Sequence, residues 1–314
     1  MKKLTAQSLL EIKQWMHRNA RPVDLKLWQY HFEGGRADAV LQELAYYQNA
    51  DGGFGHALEP DSWNPESSPY TTLQAIRMMR AVGCGELREP MLGKAFRYLE
   101  ECAHQREYGW MFSIPTNDGH AHAPWWTFSE EANTYESIGL TAELAGVILL
   151  LGEKGSPLYH KAEAYAAGVI EKLKMPGKRG DMGIGGYIEL LECLIKAELQ
   201  DRFDCDFLLI TLNRLVSDTI ERDTSKWVFY GVHPSRYIQS PDSRFYRENM
   251  DIVQAELDFL IDTRPANGIW PIPWSWFENN DKYAKQFAIS ENWWKAIKGM
   301  ERVLLLYRFG RVER

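Results

Sequence analysis

YYQNADGGFGHALEPDSWNPESSPYTTLQAIRMM, residues 46 to 79, decides how this chain is read. A helical run ends at Gln48-Asn49. Asp51-Gly52-Gly53-Phe54-Gly55 is too rich in glycine to continue it and reads as a turn. An acidic, proline-broken loop then leads into a second helix that starts near Pro69. Gly52, Gly53 and Gly55 offer positive φ and close backbone approach. Phe54, flanked by glycines, is free to fill the gap between the two helices.

Working outward, the turn recurs in weaker form at Tyr108-Gly109-Trp110-Met111-Phe112, Gly183-Ile184-Gly185-Gly186-Tyr187, Lys226 to Gly231 and Gly268-Ile269-Trp270. An amphipathic helix is expected before each: Arg36 to Gln48, Pro90 to His104, Pro157 to Lys174, Asp204 to Glu221 and Glu248 to Asp262. A second helix follows most of them: Tyr70 to Val82, Asn133 to Leu151, Tyr187 to Leu199 and Glu291 to Arg308. The second set is the more apolar around its circumference, Leu140 to Leu151 most of all, which assigns it to an inner layer. Ser8 to Arg18 supplies a further helix. Val232 to Phe245 holds two prolines and reads as irregular, lying across the mouth of a barrel. The pattern predicts an all-α chain, an α/α toroid of about five to six helix pairs in inner and outer rings, with residues 1–314 as one domain.

Composition agrees with a globular protein: 314 residues, 45% hydrophobic and 25% charged. A formal charge of −7 offers no field for nucleic acid or for an anionic membrane. The first residues, MKKLTAQSLLEIKQW, lack the apolar run of a signal peptide. The longest apolar stretch, Leu144 to Leu151, is too short for a bilayer, which takes about 20 residues. Cys84, Cys102, Cys193 and Cys205 have no CxxC spacing and read as reduced thiols of a cytoplasmic protein. The 12 Trp, 15 Tyr and 13 Phe suit a fold with a large internal surface.

If every inner helix begins just after a glycine turn, the inner N-termini gather on one rim. That rim holds His56, Glu59, Asp61, Tyr135, Glu136, Tyr187, Glu189, Glu291, Trp293 and Trp294. His56, Glu59 and Asp61, within six residues, and Glu136 are the candidates for general acid–base work. Trp63, Tyr135, Tyr187, Trp270, Trp293 and Trp294 are the candidates to contact a ligand in a central cavity. The competing reading is plain: acids near helix starts complement the helix dipole, and Glu59-Pro60-Asp61 is a rigid turn capping backbone amides. His120-Ala121-His122 puts two imidazoles on one side of an extended segment but has no third ligand, so no metal is expected. The neighbouring Trp125 and Trp126 read as a lid or cavity wall.

The helix, turn, helix unit, with YQNADGGFG at 47–55 followed by PYTTLQAI at 69–76, resembles the repeat of the protein prenyltransferase β-subunits and of the triterpene (squalene-hopene type) cyclases. The resemblance implies an α/α toroid with an isoprenoid-like ligand in its cavity. It does not carry the catalytic residues. Ser290 to Lys295, where the prenyltransferases complete a zinc site, has neither Cys nor His, and neither DxDD nor DDxxD occurs. No cofactor is expected. Three classes stay open: an enzyme acting on an isoprenoid-like molecule, a carbohydrate-active (α/α)-barrel hydrolase or lyase, and a non-catalytic binding scaffold.

Overall fold

The computed structural model describes residues 1–84, 90–266 and 268–313. Among the described residues the elements are all helical except for a hairpin of two two-residue strands. In order they are α1 Ala6–Asn19, α2 Pro22–Phe32, α3 Ala37–Leu44, α4 Pro69–Ala81, α5 Pro90–Glu101, β1 Gln105–Arg106, β2 Gly109–Trp110, α6 Glu130–Leu151, α7 Pro157–Lys174, α8 Gly183–Lys196, α9 Cys205–Thr219, α10 Met250–Thr263 and α11 Asn279–Arg308. Short 3-10 turns fill several connections. Two compact units emerge, residues 41–214 and residues 1–40 with 215–314.

Local chemistry sets the helix starts. Ser68 accepts the Thr71 N–H and Pro69 occupies the first position of α4; Ser156 and Pro157 do the same for α7. Ser129 caps α6, with Glu130 and Glu131 in its first turn facing the positive end of the dipole.

Within 41–214, α6 is the core element. Every residue from 137 to 149 is buried, and α4, α7, α8 and β2 pack around it. It is the one helix among the described residues long and apolar enough to cross a membrane, and its surface is instead covered by its neighbours. Its contact with α8 runs through glycines. A Cβ on Gly186 would stand 2.1 Å from the Gly139 carbonyl oxygen, and one on Gly146 would stand 2.9 Å from Leu190 Cα. Gly183 to Gly186 therefore form the first turn of α8 and a close helix seam, not the free turn expected from the sequence.

The glycine-aromatic segments share a hydrogen-bonding device. Phe54, fully buried, donates its backbone N–H to Thr72 Oγ1 in α4 at 3.1 Å, and Trp110 donates its own to Thr141 Oγ1 in α6 at 3.1 Å. Asn133, Ser137 and Thr141, four residues apart on α6, between them hold the backbone of residues 110–113. The aromatic side chain bonds back to the helix before it. Trp110 Nε1 donates to Leu99 O at 2.9 Å, Tyr187 Oη to Val169 O at 2.6 Å and Trp270 Nε1 to Leu260 O at 2.8 Å. Trp227 Nε1 reaches Glu221 O, just past α9, at 2.8 Å. Leu99 and Leu260 lie in the last turns of α5 and α10, where carbonyls lack an intrahelical N–H partner, so the bonds to these two also finish those helices. These repeated bonds and helix pairings fit a helical-repeat architecture.

The decisive turn differs in one detail from its sequence reading. Gly52 carries the left-handed backbone, φ 91°. Gly53 does not; it is glycine because a Cβ there would lie 2.5 Å from Ser67 Cβ.

In the other unit α1 and α2 pack on α11. α2, not foreseen from the sequence, starts on Pro22 and buries Val23, Asp24, Leu27 and Trp28. α11 begins twelve residues before the expected Glu291, with a kink at Tyr283. Leu4 pairs with Val312, joining the two ends of the described chain. Residues 232–245 contain one 3-10 turn, Pro234–Arg236, and are otherwise irregular, as their prolines dictate.

Candidate functional site

α4 presents a stripe of partly open polar side chains beside its buried face. Thr71, Thr72, Leu73, Ala75, Ile76 and Met79 are buried, while Tyr70, Gln74, Arg77 and Arg80 are not. Positions 70, 74 and 77 share one helical face. Arg77 lies against Glu143 of α6 in a two-pronged ion pair, its Nε 2.5 Å from Oε1. Arg80 meets Glu189 of α8 at 2.6 Å, and the Cys193 thiol donates to Glu189 at 3.4 Å. Glu143 has 7% of its side-chain surface open, whereas Arg77 keeps 37%. The pair thus joins a carboxylate anchored in the core to a half-open arginine side chain, and the attraction of Glu143 holds the guanidinium pKa up against burial.

The N-terminal end of the stripe is walled by rings. Trp126 stacks on Phe112 at 4.5 Å and 13°, and Tyr70 meets both edge-on, at 4.5 and 5.3 Å. Burial pushes the Tyr70 hydroxyl far above its ordinary value, and the negative charges of Glu59 and Glu143 act in the same direction. Tyr70 accordingly sits within the field of two carboxylates from different parts of the chain, opposed by Arg77. A hydroxyl beside an aromatic wall, on one helix face with a carboxylate-held guanidinium, can hydrogen-bond a hydroxylated molecule.

The four acid–base candidates do not form one cluster. His56 and Ala57 both adopt left-handed φ, 55° and 57°, which turns the chain sharply. His56 is exposed, with its Nε2 2.8 Å from Asn49 Oδ1, while Glu59 and Asp61 are 3% and 2% exposed. His56 lines a separate open groove of about 730 Å³ with Asn49, Asp51, Ser67, Tyr98 and His104. Asp61 O accepts the Ala123 N–H at 2.9 Å and Trp63 N–H donates to Ala121 O at 2.8 Å, so this loop is paired to the segment bearing His120 and His122. His122 Nδ1 contacts His120 O and its Nε2 contacts Thr127 Oγ1. Among the described residues no group of three His, Cys, Asp or Glu is placed to hold a metal. Glu136 accepts the Asp181 N–H at 3.0 Å, and burial raises its pKa. Tyr135 stacks under Lys178 at 5.0 Å.

Of the remaining aromatic candidates, Tyr187 is fully buried with its hydroxyl on Val169. Trp270, Trp293 and Trp294 belong to the unit of residues 1–40 and 215–314. There Trp270 is 2% exposed under Arg302, Trp293 lies under Arg21 at 5.3 Å, and Trp294 meets Trp274 edge-on at 5.4 Å.

Sequence reasoning passed over Tyr70, Gln74, Arg77 and Glu143. The signal was present. An i, i+4, i+7 polar stripe interrupts an apolar helix, and one carboxylate falls inside the long apolar run of α6, where a charge requires a partner. Comparison with protein-family models, curated proteins and solved structures found no match to this chain.

Proposed function

We propose that the chain is an α/α toroid-type repeat protein whose α4 face, within residues 41–214, binds a small oxygen-rich organic molecule and acts on it by acid–base chemistry. The observation that carries this reading is Tyr70, packed edge-on against the stacked Phe112–Trp126 wall and on the same α4 face as Arg77 with its Glu143 partner. Rings beside carboxylates and guanidinium donors suit the apolar faces and hydroxyl groups of a sugar-like ligand. Glu59 is the proposed proton-transfer group, Tyr70 a hydrogen-bond donor to ligand oxygen, and Arg77 a charge-assisted donor held by Glu143.

The toroid itself is supported by the alternation of helix types along the sequence and by the repeated aromatic-to-carbonyl bonds. A second reading, an isoprenoid-like ligand, is favoured by the same ring wall, whose faces can stabilise a carbocation. Two paired ions along the stripe weigh against a hydrocarbon. Calorimetric titration with methyl glucoside, cello-oligosaccharides and geranyl diphosphate tests the choice. Binding of a saccharide, weakened at least tenfold in Tyr70→Phe or Arg77→Met, is expected. Binding of geranyl diphosphate alone refutes the sugar-like assignment, and binding unchanged by both substitutions refutes the site.

A further inference from the structure

Trp126 is 4% exposed, and its Nε1–H finds no acceptor among the described residues. Trp294 Nε1, in the unit of residues 1–40 and 215–314, is a second buried indole donor without an acceptor, but four other indoles are provided for. Trp28, Trp110, Trp227 and Trp270 each donate to a carbonyl or carboxylate at 2.7 to 2.9 Å. A buried donor left without an acceptor is costly, because it has given up water and gained nothing in return. Trp126 bears this cost at the edge of the α4 stripe, stacked on Phe112 and touching Tyr70. Phe112 already occupies one ring face, so the polar edge is what the indole has left to offer.

We infer that Trp126 Nε1 is a specificity-determining donor that receives a hydroxyl oxygen of an uncharged, polyhydroxylated ligand. This rests on the α4 face being the ligand site. The acceptor's class follows from the surrounding charge. Glu59 and Glu143 both act on the neighbouring Tyr70 hydroxyl, and Arg77 is already engaged by Glu143. A carboxylate or phosphate oxygen entering here meets two like charges with one cation already paired. A hydroxyl suits the place better. It accepts from the indole through its lone pair while its own proton is donated onward to a carboxylate. A hydrocarbon offers the indole nothing, and a site that presents a buried donor discriminates strongly against ligands unable to fill it.

The test uses the full chain with its indole nitrogens labelled, methyl β-glucoside and geranyl diphosphate as probes, and the Trp126→Phe variant. The Trp126 signal, one of 12 indoles, is assigned in the wild type by its through-space contacts to Phe112 and Tyr70, so the readout survives if the variant does not fold. Addition of the glucoside should move that signal, and geranyl diphosphate should not. Trp126→Phe should weaken glucoside binding by roughly tenfold, the worth of one hydrogen bond. Its unfolding midpoint without ligand should fall by no more than the lost ring packing accounts for, since no hydrogen bond is broken. A wild type that binds glucoside with a stationary Trp126 signal, or a variant that binds it equally well, overturns the role of Trp126 alone. Loss of binding in Arg77→Met would then keep the α4 site standing. No glucoside binding by the wild type overturns both, and a signal moved by geranyl diphosphate instead overturns the uncharged class.

Discussion

Two glycines one residue apart in α8 should respond in opposite directions to the same substitution. A Cβ at Gly186 falls 2.1 Å from the Gly139 carbonyl oxygen and 2.6 Å from Gly139 Cα, while a Cβ at Gly185 meets nothing within 4 Å. Neither has a left-handed backbone, so alanine suits the local conformation at both. Alanine in a helix gains up to about 1 kcal/mol over glycine, less in a first turn. At Gly185 that gain stands alone, and Gly185→Ala should stabilise by roughly 0.5 kcal/mol. At Gly186 the new methyl is more than 1 Å inside ordinary contact with rigid helix backbone, so no rotamer change relieves it. Overpacking of this kind costs about 1–3 kcal/mol, and contact with backbone puts Gly186→Ala at the upper end. A net loss of about 2 kcal/mol lowers the midpoint by roughly 4–8 °C in a unit of this size. Thermal unfolding followed by circular dichroism measures both variants against the wild type. Midpoints that move together, or a Gly186→Ala within 1 °C of the wild type, refute the glycine seam as the basis of α6–α8 packing.

Other outcomes follow from the same structure. Trp110→Phe leaves the Leu99 carbonyl without its donor and should cost about 1–2 kcal/mol beyond lost ring packing, read from urea midpoints. Arg77→Met leaves the Glu143 charge buried and should destabilise by about 3 kcal/mol, while adding Glu143→Leu should recover most of that. Glu136 has a folded pKa raised by burial, so the folded state holds its proton more tightly than the unfolded state and stability falls as pH rises between the two pKa values. Glu136→Gln should therefore be more stable than the wild type at pH 7, with the difference gone below the unfolded pKa; a constant difference from pH 3 to pH 8 contradicts this. Gly53→Val should lower the midpoint through collision with Ser67 and Tyr98, not through backbone strain.

Helix positions were legible because they rest on local signals. Pro69 and Pro157 behind capping serines, and the all-round apolar run of α6, place elements with no knowledge of tertiary structure. α2 was not legible. Val23, Leu25 and Leu27 alternate in the manner of a strand, and its burial of Asp24 against Arg21 at 2.5 Å depends on a partner that periodicity does not encode. The glycines of α8 misread for a related reason: glycine marks both a turn and a close helix approach, and only the presence of α6 decides between them. The acid–base group illustrates the limit for sites. Proximity in sequence suggested that His56, Glu59 and Asp61 act together, but left-handed φ at two successive residues sends His56 to the surface while the carboxylates go inward. Tyr70 and Glu143 lie 73 positions apart, yet the field of one acts on the hydroxyl of the other.

The central claim, a ligand on the α4 face, is tested most directly by crystals soaked in cello-oligosaccharide. Ligand density is expected in contact with Tyr70 and Arg77 and against the Phe112–Trp126 wall. Density confined to the groove lined by His56 and His104, with the α4 face holding only solvent, would contradict it.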